Sequence, residues 1–89
     1  MKQQNRLLET LNDEKQWLED QISKLPKGYI SVQHISGLTY YYLQHREGDH
    51  ILSEYVPTGH LNSVRRRITL RKFYEKQLKA VNDEIVAIR

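Results

Sequence analysis

Between Leu8 and Leu25 apolar residues recur at steps of three and four: Leu8, Leu11, Leu18, Ile22 and Leu25, with Lys15 at the one position that interrupts the series. That period predicts a helix with a narrow heptad seam rather than a broad surface stripe. Trp17 stands off the seam and is expected to widen the buried face, while Asp13-Glu14 and Glu19-Asp20 take the remaining sides. Pro26 and Gly28 should stop the helix. Proline disfavours helical geometry in the residue before it, and glycine adopts backbone conformations that other residues resist. A second seam fills the last third: Val64, Leu78 and Ile85 share one heptad position, with Arg71 between the first two, and Tyr74, Val81 and Ile88 share its partner. Thr58, Asn62 and Ser63 all suit an N-cap, which leaves the start of this helix open by several residues.

The pattern changes from Gly28 to Val56. Two turn signals, Ser36-Gly37 and Gly48-Asp49, divide this stretch into three short runs rich in β-branched and aromatic residues. Such runs predict a three-stranded antiparallel meander, which at this size needs its flanking segments to cover one face. A two-residue turn at Ser36-Gly37 sets Ile35 opposite Leu38, Val32 opposite Tyr41 and Ile30 opposite Leu43. An even-numbered loop at Gly48-Asp49 adds Leu52 and Val56 to the same side, the expected core face. The other side collects Tyr29, Ser31, Gln33, Tyr40, Tyr42, Gln44, Ile51, Ser53 and Tyr55. Tyr29, Tyr40, Tyr42 and Tyr55 there serve either as cross-strand pairs that stabilise the sheet or as a recognition surface with large rigid contact area.

The fold expected is α+β, as one domain over residues 1–89: a helix over 1–25, the meander over 28–56, and a second helix over 58–89 packed antiparallel on the first. Setting Leu25 against Val64 brings Ile22 near Ile68, Leu11 near Leu78 and Leu8 near Val81. Lys15 then lies beside Tyr74 and Glu75, its stem covered and its ammonium near a carboxylate. The same seam also serves to pair two copies, and the tyrosine face is a second surface for a homodimer.

Charge adds a direction. Residues 61–89 carry eight basic and three acidic side chains, against four and five in 1–25 and two and three in 26–60, so the net charge of +3 comes from the last third. Arg65-Arg66-Arg67 followed by Arg71, Lys72, Lys76 and Lys79 forms a basic run. On a helix Arg65, Lys72, Lys76 and Lys79 share the side away from the seam, a stripe suited to phosphates. Three arginines near a helix start oppose the helix dipole, which favours an anionic ligand there unless the helix begins as early as Thr58.

Other chemistry is sparse. The chain has no cysteine, which excludes a disulfide framework, a thiolate zinc site and a cysteine nucleophile. His45 and His50 would face each other across a four-residue loop, but two imidazoles fall short of a structural zinc site, so no metal and no cofactor are expected. No glycine-rich phosphate loop and no HExxH or GxSxG string occurs, and a protein that is not an enzyme is expected. Neither a signal-peptide core nor a membrane-spanning window is present, and a cytoplasmic location is expected.

LPKGY at 25–29, a turn glycine, YYYLQHR at 40–46 and SEY at 53–55, followed by a charged helix, resemble the core of a group of small bacterial, phage and mobile-element proteins. That core reads LPKGY…G…YYYLQ.R…S.Y between helices, and the resemblance implies an accessory protein of a mobile element. The function expected first is therefore non-enzymatic binding of DNA or RNA. Arg65, Arg66, Arg67, Arg71, Lys72, Lys76 and Lys79 would contact phosphates, with Tyr40, Tyr42 and Tyr55 against bases or a groove. The alternative is a protein-binding module, such as a phage-encoded inhibitor of a host nucleic-acid enzyme, using the tyrosine face.

Overall fold

The computed structural model describes residues 2–89. Its elements are helix α1 (Lys2–Ser23), strands β1 (Tyr29–Ile35), β2 (Leu38–Glu47) and β3 (His50–Val56), a short 3-10 turn (Thr58–His60) and helix α2 (Leu61–Ile88). The sheet is antiparallel with order β1-β2-β3, so the fold is α+β as the residue pattern predicts. The single domain expected over 1–89 resolves into two compact units that share α2. One takes in α1 and the part of α2 from Arg71 onward, and the other runs from Pro26 to Leu70. At 28 residues α2 is about 42 Å long, enough to serve both units.

The helical unit buries the heptad seam. Leu11, Leu18, Val81 and Ile85 form its core, with Leu8, Tyr74, Leu78 and Ile88 packed against them, all of them seam positions. The two helices of one chain therefore fill the seam between themselves. Each fully buried leucine or isoleucine contributes roughly 1.5–3 kcal/mol, so these few positions carry most of this unit's stability. Trp17 does not widen the buried face as expected. It is 52% exposed, with its ring against the edge of Tyr74 at 5.5 Å between centroids and 79° between planes. Lys15 is half-buried, as a covered stem requires. Its expected carboxylate, Glu75, pairs with Arg71 instead.

The end of α1 also differs from expectation. The helix stops at Ser23, and its last carbonyls, which lack partners within the helix, are met without a glycine cap. Ser23 Oγ donates to the Asp20 carbonyl at 2.7 Å, and the Lys24 and Leu25 amides donate to Gln21 and Ile22 in tight turns. Gly28, expected to help stop the helix, has another task at the entrance to β1. Its φ is +118°, and a Cβ there would collide with the backbone carbonyl of Gln44.

Both turns of the meander have two residues. Ile35 pairs with Leu38 around Ser36 (φ 52°) and Gly37 (φ 80°), the left-handed pair of a type I′ turn. Glu47 pairs with His50 around Gly48 (φ 60°) and Asp49, with the positive φ at the first position only, as in a type II′ turn. The β1–β2 register follows as expected, with Ile30 opposite Leu43 and Val32 opposite Tyr41, and between β2 and β3 Tyr42 stands opposite Tyr55 and Tyr41 opposite Val56.

Two changes test these turns and the close approach. Gly28→Ala should lower stability by about 2 kcal/mol or more, since it combines a clash with a strained φ, read as a lower urea midpoint with an unchanged slope. Ser36→Asn places a residue that tolerates the left-handed region in front of Gly37, and should raise stability by about 0.5 kcal/mol in the same measurement.

Candidate functional site

Because directly paired residues share a face, the register sorts the meander into two chemically different surfaces. One carries Ile30, Val32, His34, Thr39, Tyr41, Leu43, His45, Glu47, His50, Leu52, Glu54 and Val56. The other carries Tyr29, Ser31, Gln33, Ile35, Leu38, Tyr40, Tyr42, Gln44, Arg46, Ile51, Ser53 and Tyr55. Glu47 and Glu54 both fall on the first surface, so the tyrosine face has no carboxylate and one arginine.

Cover on the first surface comes from the opening turns of α2 within the sheet unit. Val56, Leu61 and Ile68 are buried, and the Arg65 guanidinium lies 6.0 Å from the centre of the Tyr41 ring. Pro26, Leu43, Glu54, Val56, His60, Val64 and Arg67 line a cleft of about 240 Å³ there, small against the roughly 300–1,000 Å³ of most ligand pockets. The cover is partial. Val32 and Leu52, expected in the core, are 47% and 44% exposed. They sit beyond the reach of the few residues between Leu61 and Leu70 that the unit has to lay across its sheet.

The tyrosine face is open and internally braced. Tyr55 stands between Tyr40 and Tyr42, with ring centres 6.4 and 5.9 Å apart, and Gln44 Nε2 donates to Ser53 Oγ at 3.4 Å. Tyr40 and Tyr42 are half-buried by these neighbours. Leu38 is 59% exposed, Ile51 56% and Tyr55 54%, and Tyr29 and Ile35 are similarly open.

The basic run does not act as one set. Arg71 belongs to the packing of the helical unit: its Nη1 donates to the carbonyls of Ile22 at 3.0 Å and Leu25 at 2.6 Å. Its buried Nε lies 3.5 Å from Glu75 Oε1, an ion pair without hydrogen-bond geometry. A guanidinium used in this way is not offered to phosphate. Lys79 pairs with Asp83 at 3.0 Å on the exposed surface. Arg65, Arg66, Arg67, Lys72 and Lys76 are exposed. The helical path begins at Thr58, so Arg65 to Arg67 lie past the first turn, where the dipole has faded, and the anion argument from the dipole no longer holds.

His45 pairs with Leu52 and His50 with Glu47, so the two imidazoles are not opposed as a four-residue loop would have placed them. Among the described residues no group of three or more His, Asp or Glu side chains gathers to hold a metal, and no helix is long and apolar enough to cross a membrane. A second aromatic patch lies on the helical unit. Phe73, exposed on α2, lies 6.0 Å from Tyr74, which in turn meets Trp17. Its signal was Phe73 standing one position off the seam.

These features define a helix–meander–helix protein with an exposed aromatic sheet face. The chain belongs to the DUF6788 family, a domain of unknown function, whose model matches residues 8–66. That span takes in most of α1, the whole meander and the opening of α2. No curated protein and no solved structure matches the chain.

The role given to Arg71 is measurable. Arg71→Met keeps much of the aliphatic stem and removes the bonds to Ile22 and Leu25. It should cost about 1–3 kcal/mol in chemical denaturation, whereas Lys72→Met, on the exposed side of the same helix, should change stability by less than about 0.5 kcal/mol.

Proposed function

We propose that the protein is a non-enzymatic binding module whose contact surface is the tyrosine face of the meander and whose partner is another protein. The observation that carries this reading is the combination on one sheet face of four tyrosines, three exposed aliphatic residues and no carboxylate. Tyrosines braced by ring contacts lose little freedom on binding, and a partly apolar patch with a hydroxyl and amide surround is the usual make-up of an interface hot spot. With Arg46 as its only charge, the face suits a partner surface that is acidic or neutral. A nucleic-acid enzyme of a bacterial host is the partner class that the resemblance to phage and mobile-element proteins favours, with the protein acting in the cytoplasm as its inhibitor.

Direct binding of DNA or RNA is the second reading. It is favoured by one specific observation: no carboxylate lies within ion-pair distance of Arg65, Arg66, Lys72 or Lys76 among the described residues. It has lost Arg71 to packing, and Lys79 is shared with Asp83.

The two readings separate with two variants, Tyr29→Ser/Tyr55→Ser and Arg65→Ala/Arg66→Ala, each first shown to melt cooperatively. Capture of a host protein should fall at least tenfold with the tyrosine variant, a loss of about 1.4 kcal/mol or more, and persist with the arginine variant. Retention of that partner by the tyrosine variant overturns the protein-binding reading. Binding of a mixed-sequence duplex or single strand that weakens steeply with salt and disappears in the arginine variant would establish the second reading instead.

A further inference from the structure

We infer that β1 is a self-complementary edge, and that two copies of the chain join through it into one six-stranded antiparallel sheet. In a two-residue hairpin the residues flanking the turn exchange both backbone hydrogen bonds, and bonded positions then alternate along the strand. Ile35, Gln33, Ser31 and Tyr29 accordingly bond to β2, and the amides and carbonyls of His34, Val32 and Ile30 point away from the sheet. Among the described residues no backbone or side-chain bond reaches that outer edge. Edges of this kind are usually protected by a charge, a proline or a bulge. Tyr29–Ile35 has none of these: its seven residues, YISVQHI, carry no carboxylate, lysine or arginine.

A second β1 laid antiparallel about Val32 matches this edge group for group. Val32 meets Val32 of the other copy, and Ile30 meets His34, so every outward amide and carbonyl finds a partner. Opposed residues in such a pair share a face, which brings Tyr29 beside Ile35 of the other copy, both exposed in the single chain. The charge pattern is also compatible, because two uncharged strands meet without like-charge repulsion. The other free edge, β3, exposes Ile51, Ser53 and Tyr55 in the same way but carries Glu54. Self-pairing about Ser53 would set the two copies' carboxylates on diagonal positions, which disfavours β3. The contact is isologous, and its twofold axis runs perpendicular to the sheet, so the two tyrosine faces lie side by side. A seven-residue strand spans about 23 Å, and an edge-to-edge contact of that length buries far less than the roughly 2,000 Å² or more of permanent interfaces, so the association is a reversible one.

Proline tests the edge without breaking the hairpin, because it is tolerated in a strand where the lost amide points outward. Sedimentation of the full chain over roughly 10 μM to 1 mM should show a mass rising toward twice that of one chain. Val32→Pro should stay folded and remain a monomer throughout, while Ser53→Pro should associate like the parent chain. As the chain has no native cysteine, Val32→Cys gives a second readout that does not depend on proline. Opposed Cα atoms about 5.5 Å apart should give a covalent dimer on mild oxidation at least tenfold faster than Leu52→Cys. A parent chain that stays monomeric at the highest concentration overturns the inference. So does a dimer that survives Val32→Pro or is lost in Ser53→Pro, or equal cross-linking of the two cysteine variants.

Discussion

Two residues at each turn leave the strands of the meander no freedom of register, and the rest of the surface chemistry follows from that. A turn longer by one residue would exchange every side chain of a strand between faces. The constraint has a local cost at Ser36, which sits in the left-handed region at φ 52°, where residues with a Cβ are disfavoured. Gly37 and Gly48 take the remaining positive φ values without that cost. With the turns fixed, Tyr42 must oppose Tyr55 and Glu54 must oppose Leu43. The tyrosine face therefore lacks carboxylates because of turn geometry, although the run 47–54 contains three acids.

Much of this was legible in the residue pattern, because alternation and heptad spacing are local rules. The helical core, Leu11, Leu18, Val81 and Ile85, consists of seam residues, and the pairing of β1 with β2 matches residue for residue the pairing that the Ser36-Gly37 turn implies. What escaped depends on distance in space. Arg71 occupies a seam position and looks like one more cation in a basic run. Its role appears only when the end of α1 brings two carbonyls to it. Trp17 reads as core by residue type, yet about half of it stays exposed beside its T-shaped contact with Tyr74. Gly28 reads as a helix stop because glycine adopts backbone conformations that other residues resist, while the carbonyl that forbids a side chain there belongs to Gln44, sixteen residues further on.

The exposure of Val32 and Leu52 has a related cause. Alternation assigns a residue to a face but does not say whether that face is covered. Cover depends on how much helix the sheet unit can bring to bear, and α2 supplies only the segment up to Leu70 before it enters the helical unit. Half-covered sheets of three strands are marginal alone. The tyrosine ring contacts on the other side then matter for stability as well as for the recognition proposed for that face, so substitutions at Tyr40 or Tyr42 confound the two effects. Tyr29 and Tyr55, at the edges and more exposed, separate them better.

Charge counting along the chain points to the last third as an anion site, but a count does not say how each cation is placed. Of the seven cations between Arg65 and Lys79, one is held in the helix packing, one shares a carboxylate, and one lies over a tyrosine ring. A net charge is a property of a segment, whereas a ligand meets a surface. The basic run is distributed around α2 and across two units, but four of the sheet's five tyrosines are gathered on one face by its register. Concentration of contact area on a rigid scaffold, rather than the sum of like charges, is what gives a small protein a surface able to select a partner.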